Sequence, residues 1–144
     1  MPLIDVVSDA SVVLKWFHAE GEEQVQESRL LLDQFRDRRL GLYVLDLTMY
    51  DVGNALLRGR GVAVDAVSVV LAALGEMVPR WVPQPAEWSR AVALAQTHGL
   101  TLYDAMYGAV AERRDALLAT MDARLLDAGL GCSPRDVLRL VQER

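Results

Sequence analysis

The chain has 144 residues, 52% of them apolar, and a net charge of −5. That is enough for one domain, 1–144, with its own core, and too little positive charge for a broad nonspecific duplex-binding surface. The one cysteine, Cys132, offers no disulfide framework and no zinc cluster.

Leu3–Val7 reads as a short buried strand, and Ser11–Phe17 as the short helix after it. Glu22–Arg38 is an amphipathic helix with Val25, Leu31, Leu32 and Phe35 near one stripe. Gly41–Leu45 is a second apolar strand, and Thr48–Arg58 a helix that ends at Gly59 and Gly61. Ala63–Val78 is the next helix, with Val67, Val70, Leu71 and Leu74 facing inward, and Pro79 stops it. Trp81–Val82 is a short strand closed by Pro83 and Pro85. Glu87–His98 and Thr101–Arg114 are helices, the first ending at Gly99. Ala116–Thr120 is a buried strand, Ala123–Ala128 a brief helix, and Pro134–Gln142 a last helix with proline at its start. Strands alternating with helices predict an α/β fold, a parallel sheet covered on both faces.

The longest apolar run, near Ala66–Gly75, is broken by Ser68 and falls short of the roughly 18 residues of a membrane span. The start, Met1-Pro2-Leu3, has no basic stretch of a secretory signal. The expectation is a cytoplasmic protein with no membrane partner.

Asp9, Asp51, Asp104 and Asp122 stand at chain turning points, after apolar runs or at the openings of helices. In a parallel α/β fold those positions meet along one edge of the sheet. Each acid has a local explanation. Asp9 and Asp122 suit helix entry. Asp51 lies three residues after Thr48, and Asp104 three after Thr101, the spacing of a capping box. That box prefers the longer Glu or Gln. Capping accounts for each acid separately, but not for four carboxylates at one edge, where like charges oppose each other's ionisation. A hard divalent cation, Mg²⁺ or Mn²⁺, resolves that conflict and suits phosphate chemistry.

Ser11 and Thr120 are candidates to orient the acids through their hydroxyls. Asn54, one turn after Asp51, is a candidate to hydrogen-bond in the same pocket. Lys15 is the only lysine beside 14 arginines, and reads as a solvated surface charge more readily than as a phosphate contact. Trp16, Trp81 and Trp88 fit apolar faces, as core or interface residues rather than base-stacking platforms. A receiver domain would need an acid pair after the first strand, where Ser8 precedes Asp9. A dehalogenase-like phosphatase would need an acid where Ser11 stands.

In order along the chain, Asp9-Ala10-Ser11-Val12-Val13-Leu14-Lys15-Trp16, Tyr50-Asp51-Val52-Gly53-Asn54-Ala55-Leu56, Leu100-Thr101-Leu102-Tyr103-Asp104-Ala105-Met106-Tyr107 and Leu117-Leu118-Ala119-Thr120-Met121-Asp122-Ala123-Arg124-Leu125 resemble the four acid segments of the PIN domain family, of the VapC toxin type. The resemblance implies a three-layer fold with a central parallel sheet of four or five strands. It implies a Mg²⁺- or Mn²⁺-dependent endoribonuclease, in which Asp9, Asp51, Asp104 and Asp122 bind metal and a metal-activated water hydrolyses RNA phosphodiesters. It also implies a cognate antitoxin and a homodimer. Single-stranded RNA is the expected substrate, because a deep acidic pocket needs a flexible phosphate path. Asp51 stands where that family usually has glutamate, and Leu45, not proline, precedes Asp46. Those departures put the second metal contact in doubt. They leave an alternative, a non-catalytic PIN-like interaction module with a weakened acidic site.

Overall fold

The computed structural model describes residues 2–59 and 62–143. Four strands form one sheet: β1 (Asp5–Ser8), β2 (Gly41–Leu45), β3 (Arg80–Trp81) and β4 (Leu117–Ala119). Their order is β3-β2-β1-β4 and every pairing is parallel. A single bridge, Ala119 to Cys132, extends the sheet beyond β4. Among the described residues eight helices surround it: α1 (Ala10–Phe17), α2 (Val25–Arg36), α3 (Asp46–Leu57), α4 (Val64–Met77), α5 (Pro85–His98), α6 (Leu102–Arg113), α7 (Ala123–Asp127) and α8 (Pro134–Gln142).

The alternation of strand side chains separates two cores. Val6 faces one, with Leu42, Val44 and apolar residues of α1, α2, α3, α4 and α8. Its neighbour Val7 faces the other, with Leu45, Leu118 and residues of α5, α6 and α7. The result is a three-layer α/β arrangement, helices on both faces of a parallel sheet whose short strands are apolar on both sides. Val67 and Leu74 are buried, and Val70 and Leu71 pack partly buried beside them, as the helical stripe predicts.

Several boundaries differ from the pattern in the sequence. The helix expected from Glu22 starts at Val25, because Gln24 adopts a left-handed conformation with φ 52°. It stops at Arg36, and Arg38 also has positive φ. The helix expected from Thr48 begins two residues earlier, at Asp46. Gly59 follows it at φ 111°, and the second expected stop, Gly61, lies outside the described residues. The strand expected at Trp81–Val82 is Arg80–Trp81, in register with Val44 and Leu45 of β2. The carbonyl of Val82 instead accepts from Arg114 Nη2 at 2.8 Å. α5 opens at Pro85 rather than Glu87, as proline in a first helical turn allows. Glu87 then reaches back, and Gln84 N–H donates to its Oε1 at 2.7 Å.

The chain leaves β1 towards β2 and β3 on one side and returns to β4 on the other. β1 and β4 therefore flank the point where the strand order reverses. Ligand crevices of open α/β sheets lie outside the strand C-termini at such a point.

Candidate active site

Asp9 directly follows β1, and Thr120 directly follows β4. The two strand ends are tied together: Asp9 N–H donates to the carbonyl of Ala119 at 3.2 Å. The Ser11 hydroxyl donates to Asp9 Oδ1 at 2.5 Å, and the Thr120 hydroxyl donates to Asp9 Oδ2 at 2.5 Å. Each hydroxyl is itself oriented. Met121 N–H donates to Ser11 Oγ at 2.8 Å, and Asp122 N–H donates to Thr120 Oγ1 at 2.9 Å. With their oxygens accepting from the backbone, both hydroxyls turn their protons onto Asp9. Val12 N–H adds a longer contact of 3.4 Å to Asp9 Oδ1. Asp9 thus caps α1 and is also held from β4, across the sheet. Gly131 permits this packing, since a Cβ there would stand 2.6 Å from Thr120 Cγ2.

Asp9, Asp51, Asp104 and Asp122 line one cleft, together with Ala10, Ser11, Thr101, Tyr103 and Tyr107. α6 begins at its cap Thr101, whose hydroxyl accepts from Asp104 N–H at 3.2 Å. That bond uses the backbone of Asp104. Asp122 caps α7, accepting from Arg124 N–H at 2.9 Å. Asp51 caps nothing. The capping box expected between Thr48 and Asp51 does not form, because α3 starts earlier. Thr48 occupies the third helical position, and its hydroxyl accepts from Leu45 N–H at 3.0 Å. The Asp51 carboxylate instead accepts from the Tyr107 phenol at 3.3 Å.

The electrostatics match four anions sharing a cleft. Burial pushes the Asp9 carboxyl up to about 6, against the lowering effect of Ser11, Thr120 and Val12, and Asp122 adds repulsion. Burial also raises Asp51, opposed by the Tyr107 hydrogen bond and reinforced by Asp104. Burial raises Asp104, and Asp122 raises it further.

Asn54 is corrected by the structure. It is exposed and does not line the cleft. Asn54 keeps roughly the face of Asp51 but stands about 4.5 Å further along α3, away from the strand edge that carries the cleft. Lys15 is not a solvated charge. It is buried, with Nζ 3.5 Å from Glu22 Oε1. Trp16 and Trp81 pack as expected. Trp16 Nε1 donates to the Ser28 carbonyl at 2.9 Å, and Trp81 stacks on Tyr43 with ring centroids 3.9 Å apart. Tyr107 was not anticipated as a cleft residue. Its one sequence signal is a hydroxyl three residues after Asp104 on an otherwise apolar helical face.

The donor set is all oxygen and anionic, which fits a hard cation. Among the described residues, no three His, Cys, Asp or Glu side chains converge tightly enough to enclose an ion directly. An ion in this cleft would keep part of its hydration shell, as Mg²⁺ ordinarily does.

The family model of the PIN domain matches residues 6–130. Ribonuclease VapC3 of Pyrobaculum aerophilum is 34% identical over 127 residues, spanning 85% of this chain and 92% of that protein. The crystal structure of PAE2754 from Pyrobaculum aerophilum superposes with a TM-score of 0.68 at 26% identity, covering 98% of this chain and 97% of that one. A toxin–antitoxin complex from Klebsiella pneumoniae gives a TM-score of 0.65 at 18% identity over 90% of this chain and 97% of its own, a likeness of fold. The family match runs from within β1 to just beyond α7, so it takes in both strand ends that form the cleft and all four of its aspartates. The chain belongs to the PIN domain family.

Proposed function

We propose that this protein is a metal-dependent endoribonuclease, the toxin of a toxin–antitoxin pair. Its substrate is RNA in single-stranded regions, its compartment the cytoplasm, its working form a homodimer, and its activity is restrained by a cognate antitoxin protein. One observation carries the reading: four carboxylates from four separate segments line one cleft at the C-terminal edge of the sheet. Similarity to a protein named a ribonuclease supports the choice of RNA. Asp9, Asp104 and Asp122, with Asp51 at the side, would hold Mg²⁺ or Mn²⁺. When bound, such an ion lowers the pKa of water and neutralises charge on phosphate. The chain supplies the rest. Ser11 and Thr120 fix Asp9 so that both its oxygens keep one direction. The partial positive charge at the start of α6 eases the crowding of anions there.

The test joins cofactor and residue. Cleavage of a mixed RNA pool stops with EDTA and returns with excess Mn²⁺. Asp104→Asn keeps the Thr101 cap, which uses only backbone N–H, so it abolishes cleavage and leaves melting unchanged or slightly raised. Undiminished cleavage after complete metal removal overturns the mechanism. The second reading, an interaction module with a weakened acidic site, is favoured by the absence of a tight three-ligand cluster among the described residues. It predicts neither Mn²⁺ binding nor cleavage.

A further inference from the structure

Tyr107 is buried to 2% exposure, with its ring among the apolar residues of the second core. An unpartnered buried hydroxyl is costly, and this one has two partners. Its Oη lies 2.8 Å from Thr48 Oγ1 and 3.3 Å from Asp51 Oδ2. The proton order follows from elementary bookkeeping. An ionised carboxylate can only accept, so Tyr107 donates to Asp51. Thr48 already accepts from Leu45 N–H and has one proton left, which it donates to Tyr107. The relay runs from Leu45 N–H through Thr48 and Tyr107 to Asp51.

Thr48 needs no tyrosine in order to hold Leu45 N–H. What the phenol adds is a rigid arm reaching from α6 to a half-buried carboxylate on α3. Tyr107 sits three residues after Asp104 on α6, and Thr48 three residues before Asp51 on α3. The relay therefore joins the two helices that bring these mutually repelling acids into the cleft.

We propose that Tyr107 is the positioning residue for Asp51: its phenol, oriented by the buried Thr48 hydroxyl, fixes the direction of that carboxylate and its separation from Asp104. The proposal deepens the ribonuclease reading and rests on it for its kinetic consequence.

The experiment has a kinetic and a spectroscopic arm. In the full chain, Tyr107→Phe should lower kcat by about 10- to 100-fold, with KM and melting temperature little changed. Thr48→Val should show the same loss and Thr48→Ser should retain activity, which decides the matter if Tyr107→Phe fails to fold. In an Asp51→Ala background, Tyr107→Phe should cost little more, since residues acting as one unit are not additive. The carbon-13 resonance of Tyr107 Cζ, which reports hydrogen bonding at the phenol oxygen, should move in Asp51→Ala. Wild-type kcat in Tyr107→Phe, full additivity with Asp51→Ala, or an unmoved Cζ resonance would each overturn the proposal. A wild-type chain that cleaves no RNA defeats the ribonuclease reading instead, and the Cζ resonance then still decides whether the relay exists.

Discussion

Asp9 carries the largest physical tension in the cleft, and its titration makes that tension measurable. Its carboxyl sits near 6 in the fold, against about 3.9 in an open chain. An acid whose folded pKa is raised holds its proton more tightly when folded. Its contribution to stability is therefore greatest below pH about 4 and is lost as pH climbs to about 6. The loss is on the order of 3 kcal/mol for this group alone, at 1.36 kcal/mol per unit. Relative to Asp9→Asn, which cannot titrate, the wild type should lose urea stability between pH 4 and 6.5 and stay level above that range. A difference independent of pH contradicts the buried, charged Asp9. Mn²⁺ affinity should fall across the same window as pH is lowered, because binding requires the deprotonated form. Asp51 yields a separate outcome. It caps no helix, so Asp51→Ala should leave the start of α3 intact and cost only the Tyr107 hydrogen bond, partly offset by relieved repulsion from Asp104. A capping acid would instead lose about 1 kcal/mol on truncation. Mn²⁺ titration of the same variant decides whether the carboxylate belongs to the site: unchanged affinity removes it.

At the scale of elements, the sequence pattern located every helix and strand, and its errors have specific causes. The start of α3 was misplaced because Thr48 looks like a cap, whereas it serves as the third residue of the helix, bonded back to Leu45 N–H. That one shift released Asp51 from its expected role and put a hydroxyl against Tyr107, a contact between residues 59 apart in sequence. No local pattern encodes such a pairing. The gathering of the four aspartates was legible, because strand ends and helix starts meet at one edge in any parallel α/β sheet. The absence of Asn54 from the cleft was not, because it turns on how far along one helix the cleft extends. A clamp between α5 and α6 was also hidden in the sequence. Glu87 is fully buried and receives two bonds from Arg114, Nε to Oε2 at 2.8 Å and Nη2 to Oε1 at 2.9 Å. Arg114 also lies 4.9 Å over the Trp81 ring, which ties both helices to β3. Glu87→Gln keeps the shape and removes the charge. It should destabilise by about 2 kcal/mol, the scale of hydrogen bonds to charged groups, with the guanidinium's partial exposure limiting the cost. Chemical denaturation measures it, and Mn²⁺ affinity should be unaffected because the clamp lies outside the cleft lining.

At the scale of the whole molecule, the strand order places the cleft at the reversal between β1 and β4 and leaves a second surface beside it. Tyr50, Leu102, Tyr103 and Trp88 are large apolar or aromatic residues in the open, with Tyr50 77%, Tyr103 66% and Trp88 50% exposed. With Leu47 and Met106 they line an apolar groove between α3, α5 and α6. Tyr103 belongs both to that groove and to the acidic cleft. No helix among the described residues is long and apolar enough to cross a membrane. Aromatic residues are enriched where proteins pair, and contiguous apolar patches mark interaction sites. The homodimer proposed above would use this face and bring two acidic clefts near a common seam. Light scattering at about tens of micromolar, where pairs of micromolar affinity or tighter persist, should give twice the chain mass. Trp88→Glu places a charge in the seam and should shift the mass to that of one chain, while Asp104→Asn, altered only in the cleft, should remain paired. A wild type that scatters as a single chain across that range defeats the dimer and assigns the groove to another partner. A Trp88→Glu variant that stays paired moves the interface elsewhere on the molecule.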